Sequence, residues 1–145
     1  MSMFCYQCEE TAKGEACTVR GVCGKTDTVA NLQDLLVYLL KGISVYGVKA
    51  EELGIKDEQA GEFIMESLFA TITNANFAED DFVELIEEAF EVREEVKEEL
   101  LAEYDGSKEE LEAEVPEMAT WTADNEAEIY QKAEEVGIPT TDNED

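Results

Sequence analysis

Four cysteines are the residues of this chain whose type and spacing could do chemistry. They are Cys5, Cys8, Cys17 and Cys23, separated by two, eight and five residues, and all lie near the N-terminus. Clustered thiols of this kind hold iron–sulfur clusters or structural zinc, or they pair as disulfides. The first question is therefore which of these states the sequence favours.

Disulfides are the least favoured state, because a chain without an export signal is expected to keep its thiols reduced. Four thiolates satisfy tetrahedral zinc, but zinc ribbons usually pair two CxxC motifs, and the second pair here has a five-residue spacer. An iron–sulfur cluster needs thiolates that converge from a flexible loop, and Gly14, Gly21 and Gly24 supply such a loop. The spacing favours an iron–sulfur cluster and leaves zinc, disulfides and unliganded cysteines open.

The absence of histidine narrows the possible chemistry further. Ser-His-Asp triads, imidazole metal sites and histidine acid–base catalysis are all excluded. The remaining acid–base candidates are glutamates scattered over helix exteriors, for which a solvated face is the simpler explanation. A complete small enzyme is therefore the least favoured functional hypothesis.

The charge excludes other classes of protein. The 145 residues include 37 Asp and Glu against 10 Lys and Arg, which gives a formal net charge of −27. Such a chain would repel nucleic acid and anionic membrane surfaces. No apolar run approaches the length of a membrane span, and the segment Met1–Cys5 lacks the basic and apolar regions of a secretory signal. We therefore expect a cytoplasmic protein that binds neither nucleic acid nor membrane.

The acidic residues are unevenly distributed. Residues 1–50 hold five acids and five bases, whereas residues 51–145 hold the other 32 acids and five bases, so the whole net charge lies in the second part. The cysteines thus occupy the neutral part, and the acidic part is predicted to be a solvated exterior. Lys13, Arg20 and Lys25 could offset the negative charge of a cluster, or they could be ordinary surface bases.

Apolar residues at spacings of three and four predict helices behind the cysteines. The first is predicted to begin after an N-cap at Thr28 and to end near Gly54. The second is predicted to begin after a cap at Asp57, and Asn74-Ala75-Asn76 suits the turn that follows it. The predicted buried stripes are Val29, Leu32, Leu36, Leu39, Ile43, Tyr46 and Ala50 in the first helix, and Ala60, Phe63, Ile64, Leu68, Phe69 and Ile72 in the second.

Two further helices are predicted in the acidic part. One runs from about Asp80 to Tyr104, with Gly106 as its stop, and Pro116 interrupts any helix within residues 107–123. The last is predicted to begin near Asp124 or Asn125, where Asn125 and Glu128 resemble a capping box, and to be closed by Gly137 and then Pro139. The inward residues are predicted to be Phe82, Leu85, Ala89, Val92, Val96 and Leu100, then Trp121, then Ile129, Ala133 and Val136.

These elements predict an all-α fold: an antiparallel helical bundle with an N-terminal, loop-rich cysteine cap that holds an iron–sulfur cluster. Within one domain, we assign residues 1–27 to the cap, 28–139 to the bundle and 140–145 to a flexible tail.

Several stretches of this sequence resemble one protein family, most specifically within residues 3–50, less in the acidic middle and again near the end. They are Met3-Phe4-Cys5-Tyr6-Gln7-Cys8-Glu9-Glu10-Thr11, Cys17, Gly21-Val22-Cys23-Gly24-Lys25, Leu32-Gln33-Asp34-Leu35-Leu36, Lys41-Gly42-Ile43, Glu134-Glu135-Val136-Gly137-Ile138 and Thr141-Asp142-Asn143-Glu144-Asp145. The chain resembles the N-terminal part of the hybrid cluster (prismane) proteins, also called hydroxylamine reductases, which are relatives of the nickel carbon monoxide dehydrogenases.

The resemblance implies a [4Fe–4S] cubane held by Cys5, Cys8, Cys17 and Cys23, with the spacing of the class from anaerobes. It also implies that this cubane passes electrons to a hybrid iron–sulfur–oxygen cluster that reduces hydroxylamine to ammonia. The hybrid cluster's ligands include a histidine and further cysteines, whereas this sequence has no histidine and no cysteine after Cys23. We therefore expect those ligands on a separate segment or chain.

Two functional hypotheses follow. The first is an electron-transfer module of a hydroxylamine-reductase-type oxidoreductase, with a redox partner protein and a separate catalytic portion, and with no catalytic residue of its own. Apolar stripes that the missing domains leave uncovered could also produce oligomers. The alternative is a non-redox, zinc-stabilised acidic helical protein that binds a basic partner.

Overall fold

The protein is built from helices around one long central helix. The computed structural model describes residues 3–5, 8, 14–72 and 78–137. The elements are α1 (Asp27–Glu52), α2 (Glu58–Ile72), α3 (Glu79–Glu103), α4 (Lys108–Glu114), a short 3-10 helix (Glu117–Ala119) and α5 (Glu126–Val136). Within these described residues the secondary structure is helical apart from one isolated β-bridge. The predicted all-α fold is confirmed.

The central helix is α1, against which α3, α5, α2 and the 3-10 helix all pack. It is apolar on more than one face, so several neighbours must cover it. The residues that α1 contributes to the main core are Val29, Leu32, Leu35, Leu36, Leu39, Leu40, Ile43, Tyr46 and Ala50. All seven residues of the predicted stripe are among them.

The start of α1 differs from the prediction. Thr26 is the N-cap, and its hydroxyl accepts a 3.2 Å hydrogen bond from the amide of Val29. Thr28 was predicted as the cap, but it lies inside the first turn and its amide donates to the Asp27 carboxylate. Threonine suits an N-cap at either position. The prediction of Thr28 was wrong because it is the hydroxyl of Thr26, three residues before Val29, that accepts from a first-turn amide. The end was predicted correctly, since Gly54 follows α1 with a φ of +83°.

The predicted cap of α2 is confirmed, but half of its predicted buried face is wrong. The Asp57 carboxylate accepts a 3.0 Å hydrogen bond from the amide of Ala60. Ala60 and Phe63 are buried as predicted. However, α2 turns Ser67 and Thr71 inward and leaves Leu68, Phe69 and Ile72 exposed, together with Met65.

The third helix has the predicted length, and its inner face contains the predicted stripe together with four residues that were not predicted. Its buried residues are Phe82, Val83, Ile86, Ala89, Arg93, Val96, Lys97 and Leu100. Four of the six residues of the predicted stripe are among them, and the other two, Leu85 and Val92, are half-buried and pack against the core. Two basic residues therefore occupy positions on the inner face that a hydrophobicity pattern assigns to solvent.

The segment after α3 holds a short helix that the sequence left ambiguous. Ser107 and Glu110 form a capping box that begins α4. The helix ends before Pro116, as predicted, and the 3-10 helix follows directly. Half-buried Trp121 packs against the main core, with its ring 5.6 Å from that of Phe90.

The last helix has the predicted ends. The side chain of Asn125 accepts from the amide of Glu128, but the Glu128 carboxylate accepts from the amide of Asp124, one residue before the position a capping box requires. Ile129 and Ala133 are buried. The predicted turn at 74–76 and the predicted tail at 140–145 lie outside the described residues.

Candidate metal centre

Two of the four cysteines are held together by backbone pairing. The amide of Cys5 donates to the carbonyl of Cys17 at 3.0 Å, and the amide of Cys17 donates to the carbonyl of Cys5 at 2.8 Å. This reciprocal pair is an isolated antiparallel bridge. Residues directly opposite each other in such a bridge project their side chains from the same face, so the two thiols share one side of the cap.

The bridge is anchored to the first turn of α1. Met3 and Cys17 are buried with Ala30 in a small apolar cluster, and half-buried Cys5 packs against it. Ala30 is small enough to let the bridge approach the helix, and Thr26 fixes where the helix begins. Helix α1 therefore holds residues 3–5 and 17 in position, although they belong to no regular strand.

Cys23 lies in a tight turn just before α1. The amide of Gly21 donates to the carbonyl of Lys25, and the amide of Gly24 donates to the carbonyl of Gly21. A β-carbon on Gly21 would stand 2.8 Å from the β-carbon of Lys25 and 3.1 Å from the sulfur of Cys23. Glycine at position 21 therefore leaves room for the cysteine sulfur and the lysine side chain to fold back over the turn.

Lys25 connects this turn to the other parts of the structure. Its ammonium donates to the sulfur of Cys5 at 3.2 Å and to the carbonyl of Thr71 at 3.3 Å. The residue is only 2% exposed. Of the three bases that the sequence offered as charge compensation, Lys25 contacts a candidate ligand, Arg20 is exposed, and Lys13 lies outside the described residues.

All four cysteines lie in the part of the chain that the structure describes, and none of them is in a disulfide. Cys17 is buried, Cys5 and Cys8 are half-buried, and Cys23 is exposed. Among the described residues, no three Cys, Asp or Glu side chains stand close enough together to hold a metal ion. The structure thus joins Cys5 with Cys17 and links Lys25 to Cys5, but in the described residues it does not bring three of the cysteines together as one ligand group.

The donor set nevertheless fits an iron–sulfur cluster in type and number. Four soft thiolates are what a cubane requires, and they converge most readily from a loop with glycines. Gly14 and Gly24 both have positive φ, at +71° and +96°, which is a conformation that other residues rarely adopt. The sequence identified these four candidates, but it did not indicate that Lys25 would reach Cys5.

A second cluster of polar side chains lies between α1, α3, α5 and the 3-10 helix. Arg93 is fully buried and donates to the carbonyl of Met118, and its guanidinium lies over the ring of Phe90. Burial lowers the pKa of Arg93. Burial also lowers the pKa of Lys132, but its hydrogen bond to Glu117 and the nearby Tyr38 more than offset this effect, so the pKa is raised.

These buried cations support structure. Lys132 lies over the rings of Tyr38 and Trp121, and Lys97 lies over the ring of Tyr46. Aromatic faces stabilise cations that the surroundings have desolvated. Trp121 therefore belongs to a packing contact, which agrees with its predicted role in the bundle.

A helical bundle that carries four thiols in one N-terminal cap is a candidate thiolate-ligated metalloprotein. Comparison with known proteins defines its family. The chain belongs to the Prismane/CO dehydrogenase family, which matches residues 3–144.

Similar proteins include the hydroxylamine reductase of Halothermothrix orenii, which is 56% identical over 146 residues. Those of Natranaerobius thermophilus and Clostridium tetani are 50% and 48% identical. Each of these alignments covers the whole of this chain but only 26–29% of the relative. The chain thus spans about a quarter of the length of these relatives.

None of the helices in the described residues combines the length and the apolar character that a membrane-spanning helix needs.

Proposed function

We propose that this chain is the iron–sulfur electron-transfer part of a hydroxylamine-reductase-type oxidoreductase. Cys5, Cys8, Cys17 and Cys23 are proposed to hold a [4Fe–4S] cluster as thiolates. The whole protein would act in the cytoplasm on hydroxylamine, and this chain would bind the cluster but contribute no catalytic residue. The membership of the family and the names of the similar hydroxylamine reductases support this assignment.

The observation that carries the proposal is the hydrogen-bonded pair Cys5 and Cys17. Their mutual hydrogen bonds put two of the four thiols on one side of the cap. Binding would then draw Cys8 and Cys23 toward this pair. Cys23 is exposed and lies in a turn that contains glycines, which suits a ligand that must move on binding.

A bound cluster of this type supplies one-electron transfer. The residues of this chain would orient the cluster and shield it. Met3 and Cys17 are buried against Ala30, so water is excluded from one side of the cap. A redox partner protein would supply the electron, and the catalytic portion that receives it would lie outside the residues described.

The test is anaerobic reconstitution of the chain with ferrous iron and sulfide, followed by the absorption spectrum. We expect the broad thiolate-to-iron charge-transfer absorption of a thiolate-ligated iron–sulfur cluster. Single substitutions Cys5→Ser, Cys8→Ser, Cys17→Ser and Cys23→Ser should each reduce the bound iron. Val22→Ser is the matched control, since Val22 is exposed in the same turn as Cys23 and carries no thiol.

The zinc alternative predicts a different result from the same samples. A zinc-stabilised chain would bind about one zinc without sulfide and stay colourless. A wild-type chain that behaves in this way would overturn the redox assignment. Unchanged iron in all four serine variants would overturn the ligand assignment alone.

A further inference from the structure

Lys25 is buried in the candidate metal centre although it is not one of the four proposed ligands. It is buried to 2% exposure, whereas lysine is among the residues least often found fully buried. Removing an ammonium group from water is costly unless hydrogen bonds and negative charge compensate for the loss. The surroundings of Lys25 must therefore stabilise its charge.

One compensating group is the end of α2. The last four carbonyls of a helix have no partner within the helix, and they form the negative end of its dipole. Thr71 is the penultimate residue of α2, and its carbonyl accepts from the Lys25 ammonium at 3.3 Å. Lys25 therefore occupies a position where a helix end favours a cation.

A second compensating group is the sulfur of Cys5, which accepts from the same ammonium at 3.2 Å. One side chain thus joins the Cys5–Cys17 bridge, the turn of Cys23 and the end of α2. A hydrogen bond to a ligand sulfur and a nearby positive charge both stabilise the electron-rich form of an iron–sulfur cluster. This matters in a chain whose residues 51–145 carry 32 acids against five bases.

We propose that Lys25 is a positioning residue of the metal centre: it clamps Cys5 to the C-terminal end of α2 and holds a positive charge at the ligand sulfur. The clamp is a property of the chain itself. The second role, which raises the reduction potential of the cluster, rests on the proposed function.

The first test is a redox titration of the reconstituted chain. Lys25→Met keeps much of the length of the side chain and removes its charge and its hydrogen bonds. We expect it to bind the same amount of iron and sulfide as wild type but to be reduced at a lower potential. Lys25→Arg, which keeps a cationic donor, should restore most of the wild-type potential.

Lys56→Met is the matched control, because exposed Lys56 precedes α2 and lies at the end opposite Thr71. This 15-residue helix is about 20 Å long. The same loss of one positive charge there should leave the potential unchanged. The electrostatic role is wrong if Lys25→Met has the same reduction potential as wild type. It is also wrong if Lys56→Met and Lys25→Arg lower the reduction potential as far as Lys25→Met does.

The second test needs no cluster. Hydrogen exchange of the metal-free chain should show faster exchange of the Cys5 and Cys17 amides in Lys25→Met, by about tenfold, with no change in the interior of α1. Unchanged exchange of both amides would overturn the clamp. If wild type fails to bind iron and sulfide, the proposed function fails, and this exchange measurement still decides whether Lys25 holds the cap in place.

Discussion

Gly42 of α1 lies directly against the backbone of Met118. A β-carbon at position 42 would overlap the carbonyl group of Met118. One turn later, the hydroxyl of Tyr46 donates a 2.9 Å hydrogen bond to the carbonyl of Ala119. The 3-10 helix therefore rests on α1 at two points, one of which requires the absence of a side chain.

The Gly42 contact predicts opposite effects of one substitution at two positions of the same helix. Gly42→Ala should lower the free energy of unfolding by about 1–3 kcal/mol or more, because the methyl group must displace the Met118 backbone. Gly47→Ala should raise it by about 0.5–1 kcal/mol, since nothing lies within 4 Å of a β-carbon there. Urea unfolding measures both, and equal changes would contradict the described packing.

Tyr46 predicts a loss of stability in alkaline solution. Burial raises the pKa of Tyr46 from its ordinary value of 10.0 to about 12. Between these two pH values the unfolded chain releases the tyrosine proton while the folded chain keeps it, so the stability is present below pH 10 and falls as the pH rises toward 12.

Tyr46→Phe isolates this effect from those of the other tyrosines. At pH 8 the variant should be less stable by about 1 kcal/mol, because it loses the hydrogen bond to Ala119. Between pH 10 and pH 12 the difference from wild type should shrink. Parallel stability curves over this range would show that the environment of Tyr46 does not favour its neutral form.

The helices could be predicted from the sequence because their hydrophobic periods and caps are local signals. The inner face of α2 could not be predicted in full. Leu68, Phe69 and Ile72 suit a core by composition, but the position of α2 against α1 turns Ser67 and Thr71 inward. A pattern that is apolar on two sides does not say which side is covered.

The buried and exposed faces of α2 can be tested by the same substitution, because each face carries a phenylalanine. Phe63 is 7% exposed, whereas Phe69 is 64% exposed. Phe63→Ala should lower the free energy of unfolding by about 3–5 kcal/mol through loss of buried area and the resulting cavity. Phe69→Ala should change it by less than about 0.5 kcal/mol. Equal losses in thermal or urea unfolding would support the face that the sequence predicted.

The candidate site likewise has one part that could be predicted from the sequence and another that could not. The four cysteines could be recognised from their spacing as candidate ligands, because clustered thiols commonly bind a metal centre or pair as disulfides. The contact between Lys25 and Cys5 could not, since it depends on where the end of α2 lies. Arg93 and Lys97 were likewise unpredictable as inner residues, because their burial depends on partners in distant segments.

Lys97 and Glu112 predict a loss of stability in acid. Their hydrogen bond lowers the pKa of Glu112 below its ordinary value of 4.5. A carboxyl whose pKa is lowered by folding stabilises the folded state above pH 4.5, and this stability is lost as the pH falls through the lowered pKa.

Glu112→Gln should therefore lower the free energy of unfolding at pH 7 by about 0.5–1 kcal/mol, because the Lys97 ammonium loses its carboxylate but solvent already screens the partly exposed Glu112. The difference from wild type should close as the pH falls below 4.5. Glu109→Gln, at an exposed position on α4, is the control and should change little. A constant difference at every pH would contradict the ion pair.

The most direct test of the central claim is electron paramagnetic resonance of the reconstituted chain after reduction by dithionite, with iron and acid-labile sulfide measured on the same sample. The proposal predicts about four irons and four sulfides per chain, and a signal from the one-electron-reduced cluster of about one spin per chain. About one zinc per chain, with neither sulfide nor a paramagnetic signal, would contradict it.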